Sequence, residues 1–158
     1  MTINTQIRPY NAATDLTRIL DIWFAASLKG HPFIGRDKLA EQRQLIRDVY
    51  MPQAESWVLC REDEVVGFIS LLGNNVGGLF VDPRCHGMGF GRRLINHAVD
   101  LRGELSLEVY LANEQACGFY HSLGFREVSR RDTDDLGYPF PNATLHLKKT
   151  NAASELIE

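Results

Sequence analysis

Seven residues near the middle of the chain, His86 to Arg92, carry the most specific chemical signal in the sequence. Glycine stands at alternate positions here, as Gly87, Gly89 and Gly91. Glycines spaced in this way allow successive backbone N–H groups to point into one concavity, and a helix that follows adds its free N–H groups and the positive end of its dipole. The run therefore predicts an anion site suited to phosphate. The alternative is a tight strand-to-helix turn that binds no ligand.

Two common nucleotide-binding patterns do not fit this run. A Walker loop ends in Gly-Lys-Ser/Thr, and no lysine follows these glycines. A dinucleotide fingerprint needs glycine at its sixth position, where Arg92 stands when counting from Gly87 and Leu94 when counting from Gly89. The spacing therefore indicates a third kind of phosphate site.

The surrounding periodicities place the run between a strand and a helix of a single α/β domain. Period-two or β-branched runs predict strands at Thr5–Pro9, Ser56–Arg61, Val65–Leu72, Val76–Val81, Leu105–Tyr110, Phe125–Arg131 and Ala143–Lys149. Apolar residues three and four apart predict helices from an N-cap at Thr14 to Gly30, from Asp37 to Pro52, from the glycine run to Leu101, and from a cap at Asn113 to Gly124. The paired glycines Gly77 and Gly78 predict either a bulge in the fourth strand or the close approach of another group to its backbone.

Two motifs in this order resemble those of the GNAT family, the N-acetyltransferases that use acetyl-coenzyme A. The first runs from Val81-Asp82-Pro83 through the glycine run to Leu94-Ile95, and the second comprises Asn113, Ala116, Phe119, Tyr120, Gly124 and Phe125. The resemblance implies the GNAT fold: an α/β (α+β) domain over residues 1–149 with a mixed central sheet of about seven strands, helices on both faces and a splayed strand pair that holds acetyl-CoA. The tail, 150–158, is expected to be frayed.

The resemblance also implies how acetyl-CoA binds. The pantetheine arm would add to the backbone of the fourth strand, and the N–H of Val81 would face the thioester oxygen. His86 stands where the family usually has Arg or Gln, which is expected to weaken the diphosphate contact, because a neutral imidazole offers one N–H donor. The expected cofactor-binding residues are Leu79, Phe80, Val81, His86, Gly87, Met88, Gly89, Phe90, Gly91, Arg92 and Asn113. No metal is expected.

Glu108 and Tyr120 are the expected catalytic residues. Side chains alternate along Leu105–Tyr110, so Glu108 points away from the aliphatic side and toward the implied cleft. An acceptor lysine arrives as ammonium, whose deprotonation at pH 7 costs roughly 4.6 kcal/mol. The resemblance makes Glu108 the base that takes this proton, directly or through water, and Tyr120 the acid for the leaving thiolate. An exposed strand carboxylate and a core tyrosine are the alternatives.

The resemblance places the acceptor between the first two helices and a late loop. The expected substrate-binding residues are Trp23, His31, Phe33 and Tyr138, with Tyr50, Asp134 and Asp135 on the same walls. The two aspartates would either attract a cationic amine or form a solvated turn. The preferred acceptor is a lysine or N-terminal amine of a peptide or protein, which attacks directly in a ternary complex. A small amine (polyamine, aminoglycoside or amino acid) and a non-catalytic CoA-binding module are the alternatives.

Composition argues against several other classes. Seventeen basic and twenty acidic residues among 158 give a net charge of −3, which disfavours a nucleic-acid partner. The most apolar stretch, Val65–Leu72, is too short to cross a bilayer, and Met1–Tyr10 lacks a signal-peptide pattern. Three separated cysteines indicate neither a zinc site nor a disulfide framework. A cytoplasmic protein without a membrane partner is therefore expected, and edge-strand pairing would allow a homodimer.

Overall fold

Seven strands form one mixed sheet in the computed structural model, which describes residues 4–149. The strand order is β1-β2-β3-β4-β5-β7-β6; the β4–β5 pair is parallel and the other five neighbouring pairs are antiparallel. The strands are β1 (Thr5–Pro9), β2 (Glu55–Arg61), β3 (Glu64–Leu72), β4 (Asn75–Val81), β5 (Glu104–Tyr110), β6 (Arg126–Arg131) and β7 (Asn142–Lys148). The predicted α/β architecture is confirmed, while the expected frayed tail lies outside the described residues.

Helices connect these strands at the places that the apolar periodicity predicts, with two differences at the ends. They are α1 (Ala12–Gly30), α2 (Arg36–Leu45), α3 (Met51–Gln53), α4 (Phe90–Arg102) and α5 (Glu114–Ser122), and a π turn, Ile46–Tyr50, joins α2 to α3. The predicted N-cap at Thr14 is wrong, because Asn11 caps α1 by accepting the N–H of Ala13 at 3.0 Å. Pro52 is followed by one more helical residue, and the helical segment ends at Gln53.

Both faces of the sheet are covered, because successive side chains of β2 and β3 point to opposite sides. On one face, Leu59 and Ile69 belong to a buried cluster with Leu94 and other side chains of α4. On the other face, Val58 and Phe68 pack in a cluster with Ile19, Trp23 and other side chains of α1. The sheet is therefore held between two apolar layers, as the expected fold requires.

The strands β4 and β5 separate after a very short ladder. They pair at Asn75–Ser106 and Val76–Leu107 and then diverge. A bulge marks the start of this divergence: Leu71 faces Val76 and Ser70 faces Gly78, which leaves Gly77 without a partner on β3. The bulge and the splayed pair expected from the sequence are thus confirmed.

Tyr50 lies directly on this bulge. A Cβ atom added to Gly77 would lie 1.4 Å from Tyr50 Oη and 2.3 Å from its Cζ, so the phenol occupies space that only glycine leaves open. The hydroxyl is buried and has no hydrogen-bond partner among residues 4–149. Burial, together with the nearby Glu108 carboxylate, raises the pKa of Tyr50 to about 12, so the phenol stays protonated at neutral pH.

Asp82 anchors the chain where β4 ends and the glycine turn begins. Its side chain is buried, with 5% of the residue exposed, and accepts hydrogen bonds from the backbone N–H of Arg84 at 3.0 Å, from Arg84 Nη2 at 2.7 Å and from Arg18 Nη2 at 2.9 Å. Arg18 also donates from Nε to the carbonyl of Val65 on β3 at 2.9 Å. The hydrogen bond from Arg84 holds the pKa of Asp82 well below its usual range.

We expect Asp82→Asn to lower the free energy of unfolding by about 1–3 kcal/mol at pH 7, because charge-assisted hydrogen bonds are lost. Folding lowers the pKa of Asp82, so its contribution is present above the ordinary carboxyl value of about 3.9 and is lost as the pH falls through the folded value. The difference between Asp82→Asn and the unmodified protein should therefore shrink below about pH 4. Urea unfolding across this range, with exposed Asp132→Asn as control, measures it; a pH-independent difference would contradict the assignment.

We expect Gly77→Ala to destabilise the protein by about 1–3 kcal/mol, since the new methyl group overlaps the buried phenol of Tyr50. Gly118→Ala is the matched control, because a Cβ at this position in α5 meets no atom within 4 Å. The control should be neutral or stabilising by up to about 1 kcal/mol. Chemical denaturation compares the two variants, and equal stabilities would show that Tyr50 does not need the space above Gly77.

Candidate active site

The glycine run forms the predicted turn at the N-terminus of α4. Gly87 and Gly89 both adopt a φ of +82°, a left-handed conformation that favours glycine. Gly91 lies in the first turn of α4, where a Cβ would come within 3.1 Å of the Phe119 ring. The three glycines therefore bring the backbone of the turn and the start of α4 to one concave surface next to α5.

A cavity of about 510 Å³ extends from this turn into the gap between β4 and β5. The N–H of Asp82 donates to Val66 on β3 at 2.7 Å. Because backbone groups alternate sides along a strand, the N–H groups of Leu79 and Val81 face the opposite way, into the gap. This edge of β4 presents unpaired donors to the cavity, as the expected addition of a pantetheine arm requires.

Ten of the eleven expected cofactor-binding residues line this first cavity: Leu79, Phe80, Val81, His86, Gly87, Gly89, Phe90, Gly91, Arg92 and Asn113. Met88 is the exception. It is 39% exposed, and its sulfur lies 3.8 Å from Arg61 Nη1, outside the cavity lining. The turn therefore presents its glycines inward and Met88 outward. Asn113 also caps α5 as predicted, by accepting the N–H of Ala116 at 3.1 Å.

His86 uses one ring N–H within the protein. Its Nε2 lies 3.0 Å from the carbonyl oxygen of Val81. A carbonyl oxygen can only accept, so Nε2 is the donor. Among the arginines near the turn, Arg84 is bonded to Asp82 and Arg93 to Thr5, whereas Arg92 lines the cavity. Backbone N–H groups of the turn and Arg92 are therefore the groups in the first cavity that are available to an anion.

A second cavity of about 510 Å³ lies on the other side of the same gap. Its walls come from one face of α2 and the π turn, and from the loop between β6 and β7; β3, β4 and β5 form its floor. The two cavities share Gly77, Gly78, Phe80, Glu108, Val109 and Tyr110. They therefore meet at the point where β4 and β5 diverge.

Glu108 lies at this junction. The alternation predicted for β5 is observed: Leu107 and Val109 are buried, while Glu108 is exposed and lines both cavities. Tyr110, two residues further on the same face, also lines both cavities and donates its hydroxyl to Asp134 Oδ2 at 3.1 Å. Burial raises the pKa of Tyr110, so it stays a neutral donor. A carboxylate is thus available to any group that enters from either side.

Tyr120 faces the first cavity from α5. Its ring packs edge-on against Phe119 and Phe125, with centroid distances of 5.2 Å and 5.3 Å. Burial, with a smaller contribution from Cys117, raises the pKa of Tyr120 above its ordinary value. The phenol is therefore a proton-bearing hydrogen-bond donor at neutral pH.

The structure distributes the expected acceptor residues among different places. Trp23 and Tyr50 line the second cavity, but His31 lines the first. Phe33 packs behind Tyr110 at 5.5 Å between ring centroids, and Tyr138 lies under Lys38 Nζ at 4.0 Å; both are outside the lining of the two cavities.

His31 contributes a neutral aromatic wall rather than a charge. Its ring packs edge-on against Tyr110, 5.1 Å between centroids. Burial lowers the pKa of His31 to about 4, so the imidazole is uncharged at pH 7. It belongs to the same aromatic cluster that holds Tyr110 between the two cavities.

Asp134 and Asp135 line the second cavity, where Asp134 is bonded within the loop and the Asp135 side chain is 73% exposed. Asp134 Oδ1 accepts the N–H groups of Leu136 and Tyr138 at 3.0 Å and 2.9 Å, and Asp135 Oδ1 accepts from Arg131 Nη1 at 2.7 Å. Sequence reasoning assigned no role to Tyr110, although it shares its strand face with Glu108. It also counted Leu45 and Val49 as part of an apolar helix face, without indicating that they border a cavity.

Within residues 4–149, no three His, Cys, Asp or Glu side chains are grouped closely enough to hold a metal ion. No helix in this part of the chain has the length and apolar character needed to cross a bilayer.

Comparison with protein families identifies the two motifs. A model described as the acetyltransferase (GNAT) family matches residues 16–125, which contain both motifs. The peptidyl-lysine N-acetyltransferase YjaB of Escherichia coli K12 is 39% identical over 124 residues, which cover 78% of this chain and 84% of YjaB. The peptidyl-lysine N-acetyltransferase YiaC of the same organism is 32% identical over 127 residues, covering 80% and 87% of the two chains.

Solved structures agree with this assignment. The solution structure of the apo form of E. coli YjaB superimposes with a TM-score of 0.82 at 35% identity and covers 90% of this chain and 97% of YjaB. The PaiA N-acetyltransferase of Thermoplasma acidophilum, solved in complex with coenzyme A, has the same fold, with a TM-score of 0.75 at 16% identity over 92% and 99% of the two chains. The chain therefore belongs to the GNAT family, and it is an N-acetyltransferase that uses acetyl-CoA.

Proposed function

We propose that this protein transfers the acetyl group of acetyl-CoA to the side-chain amine of a lysine in a peptide or protein, by direct attack in a ternary complex. The position of Glu108 carries this proposal, since its carboxylate lines both the first and the second cavity. The thioester would enter from one side and the amine from the other. The names of the relatives YjaB and YiaC, both peptidyl-lysine N-acetyltransferases, support a lysine acceptor.

Acetyl-CoA would lie in the first cavity. The turn amides, the N-terminus of α4 and Arg92 would bind its diphosphate. The pantetheine arm would extend along β4 and satisfy the N–H groups that face the gap. The N–H of Val81 or of Leu79 would then donate to the thioester oxygen and stabilise the negative charge that develops there.

The acceptor ammonium must lose two protons on becoming an amide, and the leaving thiolate takes up one. Glu108 would take the first proton from the acceptor ammonium, directly or through a water molecule, and the freed nitrogen lone pair would attack the acetyl carbon. The nitrogen of the tetrahedral intermediate would lose its second proton to water, and collapse of the intermediate would break the C–S bond and release a thiolate. Tyr120 would hydrogen-bond this thiolate. Since burial raises the pKa of Tyr120, donation of a hydrogen bond is favoured over complete proton transfer, and the thiolate would take its proton from solvent as CoA leaves.

The cellular setting and assembly are also part of the proposal. Cys60, Cys85 and Cys117 are free, which suits the reducing environment of a cytoplasm. The edges β1 and β6 end the sheet on its two sides, so a homodimer could form by edge pairing.

We expect His86→Arg to bind CoA roughly tenfold more tightly, because a guanidinium can donate to the Val81 carbonyl and to the diphosphate together. His86→Ala should weaken binding by a few-fold at most, because the Nε2–H of His86 is already donated to the Val81 carbonyl. His121→Arg, at an exposed position of α5, adds the same charge elsewhere and should leave the affinity within about twofold. Calorimetric titration with CoA at pH 8 compares them. Strong weakening in His86→Ala would contradict the hydrogen bond described for Nε2.

Glu108→Gln should lower kcat by about 10²–10⁴ while leaving the affinity for CoA unchanged, because it removes the base and keeps the shape. The loss should be largest near pH 7 and partly recovered at pH 9–10, where more of the acceptor lysine is already deprotonated, with an ordinary pKa of about 10.4. Tyr120→Phe should lower kcat by about tenfold without this recovery. Glu104→Gln, on the same strand but outside both cavities, is the control. Stopped thiol-release assays over pH 6–10 measure these effects, and undiminished turnover in both variants would refute the assigned roles.

A further inference from the structure

Large apolar side chains are exposed around the mouth of the second cavity. Leu45 is 48% exposed, Val49 53% and Leu136 53%, and all three line this cavity. Single exposed apolar residues are common on protein surfaces and need no explanation. Here three exposed apolar residues border the same cavity, two from the helical side and one from the loop. Together they form a local apolar patch, which is typical of a binding surface.

One side of the mouth is a helical face. Gln42, Leu45, Ile46, Val49 and Tyr50 are spaced three and four residues apart, so they point the same way. The π turn at Ile46–Tyr50 adds a residue to this turn of helix and brings Val49 and Tyr50 to the cavity together. Tyr50 is held on the bulge of β4, which fixes this side of the mouth against the sheet.

The other side is a loop fixed by hydrogen bonds. Asp134 Oδ1 accepts the N–H of Leu136, and Asp134 Oδ2 accepts the hydroxyl of Tyr110 from the floor of the cavity. Arg131 donates to Asp135 Oδ1 at 2.7 Å and to Asn142 Oδ1 at 3.1 Å. Leu136 is therefore attached to the strand that carries Glu108, rather than lying at a free loop tip.

The charges of the cavity select the group that reaches its floor. The lining contains three carboxylates, Glu108, Asp134 and Asp135, and one guanidinium, Arg131, which is paired with Asp135. This balance attracts a cation. A lysine side chain combines a cationic end with a long apolar stem, and the residues next to it in a polypeptide would meet the apolar mouth. A free polyamine carries the charge but offers no side chain to Leu45, Val49 and Leu136.

We propose that the second cavity binds a lysine together with an apolar side chain next to it in the acceptor polypeptide, with Leu45, Val49 and Leu136 contacting that neighbour. The substrate class is thus an exposed polypeptide segment in which lysine has a large apolar neighbour. This inference rests on the proposed function, and it adds the sequence context of the acceptor.

The test compares two blocked peptides, Gly-Gly-Lys-Gly-Gly and Gly-Leu-Lys-Leu-Gly, each acetylated at its N-terminus and amidated at its C-terminus, with spermidine as a third acceptor. Thiol release with acetyl-CoA gives kcat and KM for each. The leucine peptide should have a kcat/KM roughly tenfold higher, mainly through a lower KM, because part of a leucine side chain leaves water. Spermidine should be the poorest acceptor.

Two variants locate the preference. Leu136→Ser and the double substitution Leu45→Ser, Val49→Ser should each reduce the ratio between the two peptides to about two or less. Val128→Ser, an exposed position on β6 outside the cavity, should retain the full ratio. Thermal shift with CoA shows whether each variant is folded.

The results separate this inference from the proposed function. Equal kcat/KM for the two peptides, or a preference that survives both sets of substitutions, would overturn the inference while leaving a lysine acetyltransferase intact. A preference for spermidine over both peptides would overturn the inference and the lysine acceptor together. If CoA binds and neither peptide is acetylated, the proposed function is wrong and the inference is wrong with it.

Discussion

The separation of β4 from β5 is the feature on which the rest of the structure depends. After pairing at Val76 and Leu107, the two strands diverge, and the N–H groups of Leu79 and Val81 face a gap instead of a neighbouring strand. Unpaired backbone donors away from bulk water are unfavourable. An extended ligand that pairs with this edge therefore makes the hydrogen bonds that a neighbouring strand would otherwise make. The divergence also creates both cavities, since a continuous ladder would close the gap. The bulge at Gly77 is the local cause of this divergence. Tyr50 occupies the space that a Cβ at Gly77 would need, and it thereby connects the bulge to the helical side of the second cavity.

The gap has opposite polarity at its two ends. The glycine turn and Arg92 provide positive potential at one end, and Glu108 with Asp134 provides negative potential at the other. From Gly77 to Val81 the strand spans roughly 13 Å at about 3.3 Å per residue, which exceeds the screening length of about 8 Å at physiological ionic strength. Each end can therefore attract a ligand group of the opposite charge without being cancelled by the other end. The acetyl group would lie between them, where the neutral phenol of Tyr120 donates a hydrogen bond without adding charge.

The parts of the fold that were predictable are those whose signals are local. Strands could be located because alternation along residues such as Leu105–Tyr110 is a property of neighbouring positions, and Asn113 was identified as a cap from its place before a helix. The start of α1 was not predicted correctly, because Asn11 and Thr14 can both cap a helix. Only the hydrogen bond from the N–H of Ala13 shows that Asn11 is the cap. All the residues expected to bind the cofactor line the first cavity except Met88. Of the residues expected to bind the acceptor, Trp23 lines the second cavity, whereas Phe33 and Tyr138 line neither cavity.

This asymmetry has a structural origin. The first cavity is built mainly from β4, the turn that follows it and the three later elements α4, β5 and α5. Many of its residues therefore fall within the two sequence motifs. The second cavity joins α2, the sheet and the β6–β7 loop, and helical periodicity shows that Leu45 and Val49 share a face without showing whether that face meets a core or an opening. Acceptor recognition can therefore change through α2 and the loop while the gap between β4 and β5 stays the same. The hydrogen bond from Tyr110 to Asp134 limits this freedom, because it ties the loop to the strand that carries Glu108. The loop proposed to contact the acceptor and the carboxylate proposed to deprotonate it are therefore positioned together.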